Sequence, residues 1–332
     1  MSRFAVIVAL ALSALPSTAR ADVVVKLATL APEGSQWHTH LREIGEKWKE
    51  LSGGKVTMKI YPGGVVGNES DMVRKLRLNQ LQAALLTGTG IRDIDPAVQA
   101  LQIPMVLSSN EELDYVMGKM QPKLEKILSD KGFIALNWGD AGWVSFFTQK
   151  PVHTPADMKD TKLFAWAGDE GAVEAWKIAG FRPVVISATD ITTSLQTGLI
   201  EAVDTTPLAA LSFQWYHKAP KLTPIKWAPL IGGLLISKKT WDQIPAELQP
   251  QFLAAAKEIG QKMREEGRKT EADAIATMKK DGLEVQTLSA ADLAAWKVAA
   301  EKAYPYIREH VVSSAILDEV IKYRDEYRAQ KH

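Results

Sequence analysis

The sequence predicts an α/β protein of two lobes, with mixed sheets, crossover strands between the lobes and a long helix spanning both. Three observations lead there. Short β-branched runs alternate with amphipathic helical runs from Val23 onward, the pattern of βαβ units and hence of parallel or mixed sheets. Around Trp143 to Pro155 the organisation changes, and a second, smaller set of strands and helices begins. From Ala246 to Asp281 a helical pattern runs on the order of 50 Å at about 1.5 Å per residue, longer than a lobe of this size is wide.

Val23 to Thr29 reads as the first strand. Ser35 is placed to cap the helix after it, in which Trp37, Leu41, Ile44 and Trp48 are spaced four, three and four. Gly53-Gly54 ends that helix, and Lys55 to Tyr61 alternates as the second strand. A helix over Glu69 to Leu78, a strand over Ala83 to Thr87, a helix over Glu111 to Ser129 and a strand over Phe133 to Trp138 continue the pattern. Phe146-Phe147 reads as a strand leaving one sheet, with turns at Lys150-Pro151 and Thr154-Pro155.

Strands at Lys162 to Trp166, Val184-Val185 and Ala202-Val203 then alternate with helices at Gly171 to Ala179 and Asp190 to Thr197. Lys226 to Ile236 returns as a strand broken by Gly232-Gly233. The pattern after Ala246 is either two helices broken near Gly267 or a single spine across both lobes. The expected division is residues 22–145 plus 230–270 as the first lobe, and 146–229 plus 271–332 as the second lobe and C-terminal helices.

The first residues stand apart. Arg3 precedes an apolar stretch from Phe4 to Leu12 that continues through one serine to Leu15, followed by Pro16 and Ala19-Arg20-Ala21. That is the plan of a cleaved secretory signal peptide over residues 1–21, its roughly 12 apolar residues too few to span a bilayer. No later segment is apolar enough to span one, so the mature chain is expected to be soluble, without membrane insertion of its own. The sequence has no cysteine, which excludes a disulfide framework, thiolate chemistry and a lipidated N-terminal cysteine. Removing Arg3 and Arg20 from 40 basic residues leaves 38 against 39 acidic ones, a mature net charge of −1. That balance argues against a nucleic-acid or anionic-membrane partner.

Catalytic constellations are poorly represented. No Walker loop, nucleophile elbow or dinucleotide glycine fingerprint occurs. His38 and His40 lie two apart on a helix and point to different faces, so they make a poor metal pair. Gly88-Thr89-Gly90 reads as a turn at which the backbone approaches a ligand closely. The ten tryptophans are more informative, since Trp138, Trp143, Trp166, Trp215 and Trp227 fall at strand ends or loops, where indoles line apolar clefts. Trp48, Trp176, Trp241 and Trp296 lie on helical faces and read as core.

Several stretches resemble the solute-binding proteins of tripartite ATP-independent periplasmic (TRAP) transporters, the DctP family, across essentially the whole mature chain. They are Ile60-Tyr61-Pro62-Gly63-Gly64-Val65-Val66-Gly67, Leu101-Gln102-Ile103-Pro104-Met105, Lys150 to Lys159 and, most specific, Leu195-Gln196-Thr197-Gly198-Leu199-Ile200-Glu201-Ala202-Val203-Asp204. Trp215-Tyr216 and the long helix after Pro245 follow in order. The resemblance implies a two-lobed, type II-like periplasmic-binding-protein fold, a cleft that closes on a small molecule, and delivery to small and large membrane subunits driven by an ion gradient. It implies no cofactor and no turnover.

Carboxylate-binding members of that family carry an arginine where this chain has Phe164, and often a second where it has Val144. The family's asparagine aligns with Thr205 or Thr206. A buried carboxylate without a cation is costly, so the expected ligand is neutral, aromatic or apolar, held by Trp143, Phe164, Trp166 and Trp215. Trp37, Asn68, Gly88, Trp138, Asp140, Asp204 and Thr205 complete the expected site. Asp140, Asp169 and Asp204 would alternatively suit an amine or a cation, and Arg74, Arg92 or Lys162 an organic acid. An ABC-type binding protein, an enzyme using Asp140 and Asp204 as acid and base, and a signalling receptor are the competing classes.

Overall fold

The structure is a computed structural model that describes residues 22–331; the signal peptide expected over residues 1–21 lies outside them. β1 (Val23–Thr29), α1 (Gln36–Leu51) and β2 (Val56–Tyr61) form the expected βαβ unit, with β1 and β2 parallel. The Ser35 hydroxyl accepts from His38 N, starting α1 where the sequence placed the cap. α2 (Glu69–Arg77), β3 (Ala83–Thr87), α3 (Gly88–Arg92), α4 (Asn110–Asp130) and β4 (Phe133–Trp143) follow. Through Val144 the chain passes straight from β4 into β5 (Ser145–Thr148), a strand of the other sheet.

The second sheet is built by β6 (Lys162–Trp166), α5 (Glu170–Ile178), β7 (Arg182–Ile186), α6 (Ile191–Thr197), β8 (Ala202–Thr205), α7 (Pro207–Ser212) and β9 (Lys221–Thr223). β10 (Pro229–Ser237) returns to the first sheet and leads into α8 (Lys238–Trp241) and α9 (Gln249–Lys280). β11 (Glu284–Val285), α10 (Ala290–His310) and α11 (Ser314–Ala329) complete the described chain. The sheets run β2-β1-β3-β10-β4 and β11-β9-β5-β8-β6-β7. Both are mixed: β10 is antiparallel to β3 and β4, and β5 to β8 and β9.

β10 is not broken at Gly232-Gly233, as the sequence suggested. A Cβ on Gly232 would stand 2.6 Å from the Leu86 carbonyl oxygen, so glycine lets the neighbouring backbone come close within a continuous strand.

α9 is one helix of 32 residues, unbroken at Gly267, and so about 48 Å long. Phe252, Ala256 and Ile259 join the core of the first lobe around Trp48, whereas Met278 joins that of the second. Trp48 stacks on Phe252 with centroids 4.5 Å apart and donates through Nε1 to the Phe252 carbonyl at 3.1 Å. α10 also bridges: Trp296 and Ala300 pack with Phe146 and Trp227, while Ala303 and Ile307 belong to the first lobe's core, and Pro305 lies within the helix. α11 buries Ile316, Leu317 and Val320 in that same first-lobe core, beside residues of α4.

Where α9 crosses β4, Gly260 leaves no room for a side chain: a Cβ there would lie 2.6 Å from Asn137 Cγ. Asn137 in turn donates through Nδ2 to the Ala256 carbonyl at 3.0 Å. Overpacking of that kind costs about 1–3 kcal/mol. Gly260→Ala is expected to lower unfolding stability by about that much in urea titrations. Gly267→Ala meets only Leu208 Cδ2 at 3.8 Å and is expected to raise it by about 1 kcal/mol.

Candidate functional site

Between the lobes lies a cavity of about 540 Å³. The first lobe contributes Leu30, Trp37, Glu69, Asp140 and, from α9, Met263 and Arg264. The second contributes Phe164, Trp166, Trp176, Asp204, Thr205, Phe213, Trp215 and Trp227, and α10 closes a side with Ala300, Ala303 and Ile307.

Its second-lobe wall is aromatic for local reasons. Phe164, in the middle of β6, is buried and meets the edge of Trp166 at 5.4 Å. Trp215 stacks on Phe213 at 4.5 Å and donates through Nε1 to Thr192 Oγ1 at 3.1 Å, so its polar edge is satisfied by protein. Trp176 stacks on Trp227 at 5.3 Å. Val144, in the crossover between β4 and β5, also lines the cavity.

Of the eleven residues expected from sequence, Trp37, Asp140, Phe164, Trp166, Asp204, Thr205 and Trp215 come together in this lining, and four are placed elsewhere. Asn68 is the N-cap of α2, its side chain accepting from Asp71 N at 2.9 Å in a capping box. Gly88 opens α3 instead of a free turn, and a Cβ on it would fall 1.6 Å from Gln102 Oε1; Gln102 takes the place next to the cavity. Trp138 is buried in the first lobe's core. Trp143 donates to Asn110 Oδ1 at 2.7 Å, with the Lys226 ammonium 5.4 Å from its ring centroid.

Sequence reasoning missed Trp176, Glu69 and Arg264 as lining residues. For Trp176 a signal was present: α5 reads Gly-Ala-Val-Glu-Ala-Trp, yet no residue of that helix is buried, because its apolar side faces the cavity.

The charged groups of the site differ in how they are compensated. The Asp140 carboxylate, almost wholly buried, binds Arg268 of α9 at 2.7 and 3.3 Å, and the same guanidinium binds Asp114 of α4 at 2.7 and 2.9 Å. Asp140 therefore holds the spine helix as well as facing the cleft. Asp169 caps α5 by accepting from Ala172 N at 3.0 Å and pairs with Arg92 of α3 at 2.6 Å, joining the two lobes directly. Arg92 is further held by Asp93 at 2.8 Å.

Glu69 accepts from Thr87 N at 2.7 Å, Thr87 Oγ1 at 2.6 Å and Gly90 N at 2.9 Å; burial still pushes its carboxyl up to about 7, against those bonds. Asp204 is different. Its Oδ1 is buried without a hydrogen-bond partner, and burial pushes its carboxyl up to about 7, opposed only by its own backbone N–H.

Of the three bases weighed as a clamp for an organic acid, Arg74 is exposed beside Asp71, Lys162 donates to the Gly198 carbonyl at 2.9 Å, and Arg92 is paired as above. Arg264 does line the cavity, and its ion pair to Asp114 is a long 3.7 Å. His40 is flanked by Glu43 at 3.2 Å and Glu266 at 2.9 Å, and no metal-ligating cluster of three occurs among the described residues.

Two α/β lobes that enclose a cavity, linked by paired crossovers and two bridging helices, define a solute receptor of the two-lobed periplasmic kind. The chain belongs to the bacterial extracellular solute-binding proteins, family 7 (DctP), whose profile matches residues 27–310. It is similar to the 2,3-diketo-L-gulonate-binding periplasmic protein YiaO of Escherichia coli K12, 24% identical over 254 residues, 75% of this chain and 76% of that one.

Among solved structures it resembles a TRAP periplasmic solute-binding protein from Xanthobacter autotrophicus Py2 with bound β-D-galacturonate (TM-score 0.84, 20% identity, 91% of this chain and 99% of that one). It also resembles one from Sulfurospirillum deleyianum with bound succinate (TM-score 0.83, 21% identity, 90% and 98%). The chain is thus a substrate-binding receptor for small molecules and not an enzyme. No helix among the described residues is long and apolar enough to cross a membrane.

The charges of the site have measurable effects on stability and shape. A carboxyl whose folded pKa is raised contributes its full stability below the unfolded pKa, near 4, and loses it as pH rises through the folded value, here about 7. Asp204→Asn is therefore expected to melt a few degrees above the ligand-free native protein at pH 8, the gap narrowing as pH falls and closing only near pH 4 in calorimetric scans. Asp169→Asn keeps the α5 cap but removes the charge facing Arg92. Its ligand-free radius of gyration in X-ray scattering is expected to exceed that of the native protein.

Proposed function

We propose that this chain is a periplasmic receptor, released by signal-peptide cleavage, that closes on a small molecule with a mainly apolar or aromatic body and hands it to the membrane subunits of a TRAP transporter. The observation that carries the ligand class is Phe164, buried in the cleft wall at the position where the family resemblance implies a carboxylate-binding arginine. Val144 occupies the second such position, and the guanidiniums of Arg92 and Arg268 are already engaged by Asp169 and Asp140. Burying a ligand carboxylate against that wall would cost several kcal/mol, roughly, in lost solvation.

The moving units are residues 22–145 with 230–270 and residues 146–229 with 271 onward, save that α11 travels with the first because its buried face packs in that lobe's core.

A second reading has its own support. Arg264 lines the cavity with only a loose ion pair, and the similar proteins named above carry acids: a diketogulonate binder by name, galacturonate and succinate in the structures. On that reading Arg264 clamps an organic acid.

Titration calorimetry and tryptophan fluorescence on neutral aromatic compounds and their carboxylate counterparts separate the two. The expected outcome is tighter binding of the neutral compounds, weakened at least tenfold by Phe164→Ala and unaffected by Arg264→Ala. Tight carboxylate binding abolished by Arg264→Ala would establish the acid receptor instead.

A further inference from the structure

Asp204 is the one carboxylate in the described cavity lining whose compensation the chain does not supply. The lining holds four acids, Glu69, Asp140, Asp169 and Asp204, and one base, Arg264. Asp140 and Asp169 each have an arginine within 2.7 Å, and Glu69 accepts from three donors. Among the described residues no other residue donates to Asp204, and one of its oxygens is buried without any partner.

The strand that carries it leaves little choice of surroundings: β8 lies between β5 and β6, Asp204 stands opposite Phe146 in the register with β5, and the cavity lining around it includes Phe164 and Trp215. A polar group left so in an apolar wall is destabilising until a donor reaches it. Family 7 membership explains the lobes but not this residue's lack of a partner.

We infer that Asp204 is the specificity anchor of the cleft, and that the cargo is an amphiphile presenting a hydrogen-bond donor, an amine or hydroxyl, to this carboxyl while its apolar body lies on Phe164, Trp166 and Trp215. The inference deepens, and rests on, the reading of the cleft as a site for an apolar body. Both donor types suit the group chemically. An ionised carboxylate accepts from an ammonium as a charge-assisted pair, and a carboxyl in either state accepts from a hydroxyl.

The test uses the mature protein and two sets of probes with matched skeletons: 2-phenylethylamine, 2-phenylethanol, 3-phenylpropionate and ethylbenzene, and decylamine, decanol, decanoate and decane. Affinities are read by competition against a bound fluorescent reporter, for the native protein, Asp204→Asn, Asp204→Leu and Arg264→Ala. Circular dichroism checks that each variant is folded.

In at least one set the amine or the alcohol is expected to bind at least tenfold tighter than the hydrocarbon and the carboxylate. Asp204→Leu removes that advantage, so the amine and the alcohol bind no tighter than the hydrocarbon. Asp204→Asn keeps an acceptor without the charge, so it retains alcohol binding and loses amine binding.

Equal binding of hydrocarbon and donor-bearing probes, or a donor preference untouched by Asp204→Leu, overturns the inference and leaves the apolar cleft standing. Carboxylates binding tightest, with loss on Arg264→Ala, overturns the inference and the apolar reading together, as does binding by neither set.

Discussion

The structure depends first on how Arg268 is held. One guanidinium midway along α9 binds Asp140 on β4 and Asp114 on α4, fixing the spine helix against the first lobe on the flank of the cavity. Breaking a buried pair by removing one partner costs about 3–5 kcal/mol, because the other charge stays behind unpaired. Here the Asp140 side chain is almost fully buried and Asp114 nearly half exposed, so the cost falls chiefly on the cleft side. Gly260 then lets the helix sit flush on Asn137, and the placement of Met263 and Arg264 in the cavity wall follows from both contacts.

Charge in the cleft is consequently arranged as structure before it is offered to a ligand. Arg92 with Asp169 ties lobe to lobe, Arg268 with Asp140 ties helix to sheet, and Glu69 ties α2 to the start of α3 through Thr87 and Gly90. What remains facing the cavity is an aromatic wall on one lobe, a carboxyl in β8 and the guanidinium of Arg264. Fold alone does not choose among ligands.

Much of the fold was legible because its signals are local. Ser35 before an apolar helical pattern, the βαβ rhythm and the change of organisation at Trp143 each depend on neighbouring residues, and each reappears as α1, as the β1–α1–β2 unit and as the β4–β5 crossover. What sequence misplaced depends on distant partners. Gly232-Gly233 looks like a strand break until β3 is laid alongside, and Gly88 looks like a ligand turn until Gln102 fills its space. Gly267 is compatible with one long helix or with two, since a single glycine costs about 1 kcal/mol and tertiary packing at both ends outweighs it. In the site, aromatic residues at strand ends were recognisable, but the pairing of Asp140 with Arg268 spans 128 positions and left no trace in either neighbourhood.

α10 carries a further consequence. Its first half is seated on Phe146 and Trp227, its second half on the opposite lobe, and Pro305 falls within the helix near the change of allegiance. A proline there deletes one rung of the backbone ladder and crowds the carbonyl a turn earlier, which makes that rung the softest in the rod. A straight strut fastened at both ends would resist any rotation of its supports. At Pro305 α10 lacks one backbone hydrogen bond, so bending it there costs less than bending it elsewhere along its length, whereas α9, continuous and seated in both cores, has no such point.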